Sequence, residues 1–228
     1  MKEHSKLTKQ EILDQNINDH IREIGEEFRS GFEELKKYPK SVTIFGSSHA
    51  TPTNPHYRSA HELAMRIVKE LNYAVITGGG PGIMAAANLG AQETNGNSIG
   101  LTIDLPHIQH TNPYTTSTVN SHYFFTRKTL LAFSAEAYIF FPGGYGTFDE
   151  LFNILTLTQT HKIPKVPIIL FGKEFWTALK NFITKNMLEE YGYVTHHDLE
   201  LFTIIDDVDK AMEIIKAAPI SKWWENYD

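Results

Sequence analysis

The sequence predicts an α/β fold, a Rossmann-like, doubly wound and mainly parallel sheet with helices on both faces. Three observations predict it. Short continuous apolar runs recur along the chain, as expected of strands buried on both faces. From Val42 onward these runs alternate with stretches of helical periodicity, the pattern of repeated strand–helix units. Glycine turns at Gly46, Gly78–Gly82 and Gly143–Gly146 each follow a strand, at the carboxyl end where such sheets bind ligands.

The elements follow in order. Residues 7–37 are rich in Glu, Lys and Asn. Ile12, Ile17, Ile21, Ile24, Phe28 and Phe32 fall close to helical spacing and make one apolar stripe, and Pro39 ends the helix. Residues 1–38 therefore read as a helical extension lying on the rest of the chain or on a partner subunit, residues 39–218 as a Rossmann-like domain, and residues 219–228, with the adjacent Trp223 and Trp224, as a tail. Val42–Phe45 is the first strand, ending at Gly46-Ser47-Ser48, and a helix over 57–71 follows. Tyr73–Ile76 is the second strand, followed by a helix over 83–94 whose Ala85, Ala86 and Ala87 permit close packing. Ser98–Ile103 is the third strand, and residues 104–119 read as irregular. Tyr123–Phe125 is expected as a short strand leading into a helix from Thr126. Ala137–Phe141 is a strand whose helix runs to about His161. Val166–Phe171 with a helix near 173–188, and Leu201–Ile205 with a helix over 207–217, complete the chain.

Composition narrows the function classes. The formal charge is −6, from 21 basic and 27 acidic residues, and the densest basic stretch, Lys36-Lys37-Tyr38-Pro39-Lys40, carries three cations. A nucleic-acid binder usually shows a basic stripe, so no nucleic-acid partner is expected. No apolar run approaches the roughly 18 residues of a membrane span, and the polar start Met1–Ser5 does not read as a secretory signal. The absence of cysteine excludes disulfides and thiolate chemistry and fits a cytoplasmic protein. His196-His197-Asp198 is a poor metal motif, because adjacent histidines do not share a helical face and no HExxH pattern exists, so no metal is expected.

The most informative stretch is Pro142-Gly143-Gly144-Tyr145-Gly146-Thr147-Phe148-Asp149-Glu150. It follows an apolar strand and opens a helix. Gly143, Gly144 and Gly146 allow a tight turn and bring bare N–H groups close to a ligand. The helix start adds unpaired N–H groups and partial positive charge, which suit phosphate. Thr147 is placed to cap the helix or to donate its hydroxyl to that phosphate, and Asp149 and Glu150 follow in the first turn. The bland alternative is an ordinary strand-to-helix turn with acids suited to the dipole.

Two further segments belong with it. Gly78-Gly79-Gly80-Pro81-Gly82-Ile83-Met84 is neither a dinucleotide fingerprint nor a Walker A loop. Its glycines either line a pocket with N–H groups or let the following helix approach the strand. Thr126-Arg127-Lys128 puts two cations in a first helical turn, which the helix dipole disfavours. The pair is therefore either a phosphate or ring-acceptor site, for which an arginine fork is suited, or a surface pair on an exposed helix.

Together, Gly78–Met84, Arg127-Lys128 and Pro142–Glu150 resemble the LOG family, the cytokinin riboside 5'-monophosphate phosphoribohydrolases, in motif order and spacing over roughly residues 40–190. The resemblance implies a nucleotide-binding catalytic domain that hydrolyses the N-glycosidic bond of a nucleoside 5'-monophosphate, AMP or an N6-modified AMP, with no cofactor. It implies Glu150 and Arg127 as catalytic residues. It implies Gly46, Ser47, Gly79, Gly80, Gly82, Met84, Lys128, Gly143, Gly144, Tyr145, Gly146, Thr147 and Thr156 as substrate-binding residues, and a homodimer or higher homo-oligomer. Thr156 in mid-helix could equally bond back to the preceding turn, and Ser47 and Ser48 could cap a turn. Relatives often carry a Glu where this chain has Ile108, which leaves base preference open. The competing expectations are a non-catalytic nucleotide or phosphorylated-cofactor carrier on the same fold, and a pyridoxal-phosphate decarboxylase, for which Lys128 is the one lysine near the motifs.

Overall fold

The computed structural model describes residues 8–104, 110–133 and 135–221, with the backbone alone for Glu11 and Ile12. The expectations on Ile108, on the Ile12 side chain and on Trp223-Trp224 lie outside what is described. The elements are α1 (Lys9–Leu35), β1 (Ser41–Phe45), α2 (Pro55–Arg66, continued by a π-helical turn Ile67–Leu71), β2 (Ala74–Thr77), α3 (Ile83–Glu93), β3 (Ser98–Ile103), β4 (Ser117–Ser121), α4 (Phe124–Leu131), β5 (Ala135–Phe140), α5 (Tyr145–Gln159), β6 (Ile168–Phe171), α6 (Lys173–Phe182, continued by Ile183–Glu190), β7 (Thr203–Ile205) and α7 (Val208–Ala217).

The seven strands form one parallel sheet in the order β4-β3-β2-β1-β5-β6-β7. Alternate strand residues feed two separate cores. Val42, Ile44, Val75, Ala137 and Ile139 point to one face and meet Leu63, Ala64, Ala86, Ala87 and Met212 from α2, α3 and α7. Phe45, Ile76, Leu101, Tyr138 and Phe140 point to the other and meet Leu35, Leu130, Leu151, Ile154 and Trp176 from α1, α4, α5 and α6. The doubly wound expectation holds. The strand order reverses between β1 and β5, so the loops leaving those two strands diverge and open a crevice at their carboxyl ends.

One expectation fails. Tyr123–Phe125 is not a strand; the strand lies at Ser117–Ser121, and Phe124 already opens α4. The apolar run misled because β4 is an edge strand that takes its stability from the ladder to β3, over Ile99↔Ser117 to Ile103↔Ser121, and not from burying large side chains. Of its five residues, Val119 and Ser121 alone are buried. Phe124 and Phe125 are half exposed.

A buried polar network fixes the second glycine turn. Thr77, Asn88 and Ser98 are fully buried and Asn112 nearly so. The Thr77 hydroxyl donates to Asn88 Oδ1 at 2.7 Å, the Asn88 amide donates to Ser98 Oγ at 2.8 Å, and Asn112 donates to Asn88 Oδ1 at 2.9 Å. Asn112 also donates to Gly80 O at 3.0 Å, while its backbone N–H donates to Gly79 O at 2.8 Å. Asn88→Ala removes one hydrogen bond from each of three buried partners, so it is expected to cost about 2–4 kcal/mol. Denaturant titration checks this, and an unchanged midpoint would show that the network is dispensable.

Candidate active site at the β1–β5 switch

The three glycine turns are riveted together by the backbone of Ser47. Its N–H donates to Pro142 O, and its carbonyl accepts from Ile83 N–H, both at 3.0 Å. Close approach is what the glycines here provide. Gly82, at φ +70°, lies so near the Ser47 carbonyl and Ser48 that no β-carbon fits, and a β-carbon on Gly143 would strike Thr147. Gly144 and Gly146 differ, because nothing lies within 4 Å of a β-carbon built on either. Their bare backbone faces open space, as a site left for a ligand would.

That space is a cleft of about 390 Å³. Its polar side is Gly46, Ser47, Ser48 and His49 after β1, and Gly144, Tyr145, Gly146, Thr147, Asp149 and Glu150 of the α5 entrance. Its apolar side is Phe45, Met84, Ile103, Phe124 and Leu131, with Gly78 and Arg127 between. α5 begins at Tyr145, one residue after the cap Gly144. Thr147 is thus the third helical residue rather than the cap, and Asp149 and Glu150 stand in the second turn rather than the first. The first hydrogen bonds of the helix run from Thr147 and Phe148 N–H to Gly144 O, leaving the amides of Tyr145 and Gly146 ahead of the ladder.

Glu150 is 7 % exposed, and its Oε2 is buried with no hydrogen-bond partner among the described residues. Burial pushes its pKa up from 4.5 to about 7. The charges of Arg127 and Lys128 pull the other way, and Asp149 adds to the rise. Arg127, from the first turn of α4, reaches across the sheet end. Its Nε donates to Leu101 O at 2.7 Å, and a terminal nitrogen donates to Gly78 O at 3.2 Å. Two carbonyls, one in β3 and one in the turn after β2, therefore fix the guanidinium before any ligand arrives. Burial lowers its pKa, and the Glu150 charge acts against that. A carboxyl that ionises near neutrality, beside an immobilised cation and below open amides, can take a proton, orient a water or stabilise a developing cation while an anion is held at the helix start.

Of the residues expected from sequence, Gly46, Ser47, Met84, Arg127, Gly144, Tyr145, Gly146, Thr147 and Glu150 meet in this cleft. Gly79 and Gly80 border a small recess beside it with Thr102, His110 and Thr111. The Gly79 N–H is taken up by Thr77 Oγ1 at 2.9 Å. Gly143 faces an adjoining groove with Asn54, His56 and Phe175, which shares Ser47 and His49 with the cleft. Gly82 is sealed between turns. Lys128 is not a lining residue itself but pairs with the cleft residue Asp149 at 2.7 Å, and Thr156 is exposed two turns beyond Glu150. His49, Phe45, Ile103, Phe124 and Leu131 were not expected. They stand outside the glycine motifs, and the signal available was their place after or at strand ends and at the two ends of α4.

Residues 84–215, more than half of the chain, match the protein-family model described as possible lysine decarboxylase. The cytokinin riboside 5'-monophosphate phosphoribohydrolase of Rhodococcoides fascians is 25% identical over 183 residues, covering 78% of this chain and 90% of that protein. The cytokinin riboside 5'-monophosphate phosphoribohydrolase LOG2 of Arabidopsis thaliana is 29% identical over 181 residues, covering 72% and 76%. Among solved structures, the molybdenum cofactor binding protein of Rippkaea orientalis shares the fold with a TM-score of 0.57 at 22% identity, over 78% of this chain and 94% of that one. With its Pro-Gly-Gly-x-Gly-Thr-x-x-Glu turn at the β1–β5 switch and this set of relatives, the chain belongs to the LOG family.

Proposed function

We propose that this chain hydrolyses the N-glycosidic bond of a nucleoside 5'-monophosphate, AMP or an N6-modified AMP such as a cytokinin ribotide, to the free base and ribose 5-phosphate. The observation that carries the reading is Glu150: a buried carboxyl with an oxygen free of protein partners, titrating near neutrality beside Arg127. The 5'-phosphate is held by the amides of Tyr145 and Gly146 and by the Thr147 hydroxyl, with the partial positive charge of α5 behind them. This fixes the ribose above Glu150, and binding at the phosphate becomes positioning at the sugar.

As the C1'–N bond breaks, its electron pair leaves with the base and positive charge grows on the ribose. Ionised Glu150 stabilises that charge more in the transition state than in the ground state. It also accepts a proton from the water whose oxygen bonds to C1', as carboxylates do in glycosidases. The departing base regains a proton, so water is divided between the two products. The apolar wall of Met84, Ile103, Leu131 and Phe124 suits the face of a base.

Pyridoxal-phosphate decarboxylation finds no support in the residues. Among the described residues no lysine lines the cleft, and the Lys128 ammonium is engaged in an ion pair with Asp149. A carrier, like the molybdenum cofactor carrier protein of Chlamydomonas reinhardtii, has no need of a neutral-range carboxyl and a fixed arginine together.

The test is incubation with AMP, GMP, CMP, UMP, IMP and N6-isopentenyl AMP, with free bases resolved by chromatography. Base release from a monophosphate, with none from the matching nucleoside, is expected. Release from none, with tight AMP binding by calorimetry, would overturn the hydrolase reading in favour of the carrier.

A further inference from the structure

We propose that Glu27, on the N-terminal helix, is a positioning residue for Arg127, acting through the entrance to α4; the proposal rests on the hydrolase reading above. α4 begins poorly by its own sequence. Its cap residue Tyr123 makes no side-chain capping bond, and its first turn carries no carboxylate while it bears Arg127. A helix start of this kind leaves amides unpaired and sets a cation against the dipole.

Glu27 supplies from another element what α4 lacks. Its Oε1 accepts the His122 N–H at 2.7 Å, and its Oε2 accepts the Tyr123 N–H at 3.4 Å. The other side of the Tyr123 residue finishes the relay, because its carbonyl accepts the Arg127 N–H at 3.2 Å. Glu27, Tyr123 and Arg127 are thus joined along one line of hydrogen bonds. The Tyr123 phenol is itself held by α1, at 2.9 Å from His20 Nδ1 and 3.3 Å from Glu23.

Further along, α1 grips the rest of α4. Gly31 lies so close to Leu130 that a β-carbon would collide with it, and Phe32 meets Phe133 edge-on at 4.7 Å. α1 therefore holds α4 at its entrance, along its side and at its exit. The Arg127 fork spans the carbonyls of Leu101 in β3 and Gly78 in the turn after β2. It reaches both only while α4 keeps its place along its axis. Drift of about 1 Å at a positioning element is enough to cost about 10²-fold in rate. The N-terminal helix, outside the family's motifs, is on this reading part of the working site.

A double-mutant cycle tests the proposal, using base release from AMP by the full chain. Glu27→Ala is expected to lower kcat about tenfold with KM within about twofold, since loss of a capping acceptor acts on placement and not on phosphate binding. Glu27→Gln, which keeps an acceptor, recovers most of the rate. In an Arg127→Ala background, Glu27→Ala costs less than about twofold more, because coupled residues are not additive. Hydrogen exchange of the amides over 122–131 rises in Glu27→Ala whether or not any nucleotide is cleaved, which separates failure of this proposal from failure of the hydrolase reading. If the wild-type chain binds AMP without cleaving it, the exchange measurement alone decides the proposal. Should Glu27→Ala not fold, Glu27→Met, which keeps the stem and removes both acceptor oxygens, carries the comparison. Unchanged exchange, an unchanged kcat, or losses that multiply in the double variant would overturn the assignment.

Discussion

Glu150→Gln is expected to abolish base release and to make the protein more stable above neutral pH. The two effects share one cause. Burial raises the Glu150 pKa from 4.5 to about 7 in the folded chain. A raised carboxyl pKa means that the folded state prefers the proton. Below pH 4.5 both states are protonated and nothing is lost; between pH 4.5 and about 7 the unfolded state releases its proton while the folded state keeps it, so stability falls across that window and levels off above about 7. The gap between 4.5 and about 7 corresponds to about 3 kcal/mol. Glutamine never ionises, so the variant escapes that cost. Its thermal midpoint at pH 8 is expected to exceed wild type by about 6–10 °C, for a chain of this size. Near pH 4.5 the two should converge. The rate of base release is expected to fall about 10³-fold, the magnitude typical of removing a preorganised charge from a reacting centre, with AMP binding retained. Scanning calorimetry across pH 4.5–8 and the base-release assay check the pair. A variant that is active, or no more stable at pH 8 than wild type, removes Glu150 from the reaction or from its raised ionisation.

Arg127→Ala is expected to lower kcat/KM by about 10²–10³-fold and to move the rising limb of the pH–rate profile to higher pH. The direction follows from charge. Arg127 holds the Glu150 pKa down against burial, so removing the cation lets it climb above about 7. The ionised fraction at neutral pH then falls, and the half-maximal rate shifts alkaline. Arg127→Lys is expected to rescue little. A lysine keeps the charge but cannot bond the Leu101 and Gly78 carbonyls as a planar fork does. A profile with its limb unmoved would show that Arg127 does not act on Glu150.

Much of the fold was legible in the sequence because the strands of this sheet are apolar on both faces. Val42–Phe45, Ser98–Ile103 and Ala137–Phe141 announce themselves as continuous runs, and each lies within two residues of its observed bounds. β4 was missed for the converse reason. Ser117-Thr118-Val119-Asn120-Ser121 pairs along one edge only and has little to bury, so it leaves no hydrophobic signature.

The site was partly legible in the same sense. A glycine motif shows where the backbone turns tightly, not which way each residue then faces. Gly82 and Gly143 serve contact between turns, whereas Gly144 and Gly146 leave room for a ligand, and the string Pro-Gly-Gly-Tyr-Gly-Thr looks alike for both uses. Lys128 follows Arg127 directly, yet one step along a helix turns a side chain by about 100°. That step pairs Lys128 with Asp149 and leaves Arg127 lining the cleft. The contribution of α1 could not be read at all, because Glu27 and His122 are 95 positions apart and nothing in either segment names the other.

The pairing of β1 with β5, in register from Val42↔Ala137 to Phe45↔Phe140, also dictates when the site can exist during synthesis. The β1 loop emerges early, but its opposite wall belongs to a strand and helix made about a hundred residues later. Closing so long a loop is slow and must precede any reward from the contacts it brings. A nascent chain that has exposed β1, β2 and β3 therefore presents one lip of the cleft with no other. Nucleotide affinity should arise in a single late step, once α5 has cleared the ribosome, which makes ligand capture on stalled chains of graded length a direct clock for the docking of β5.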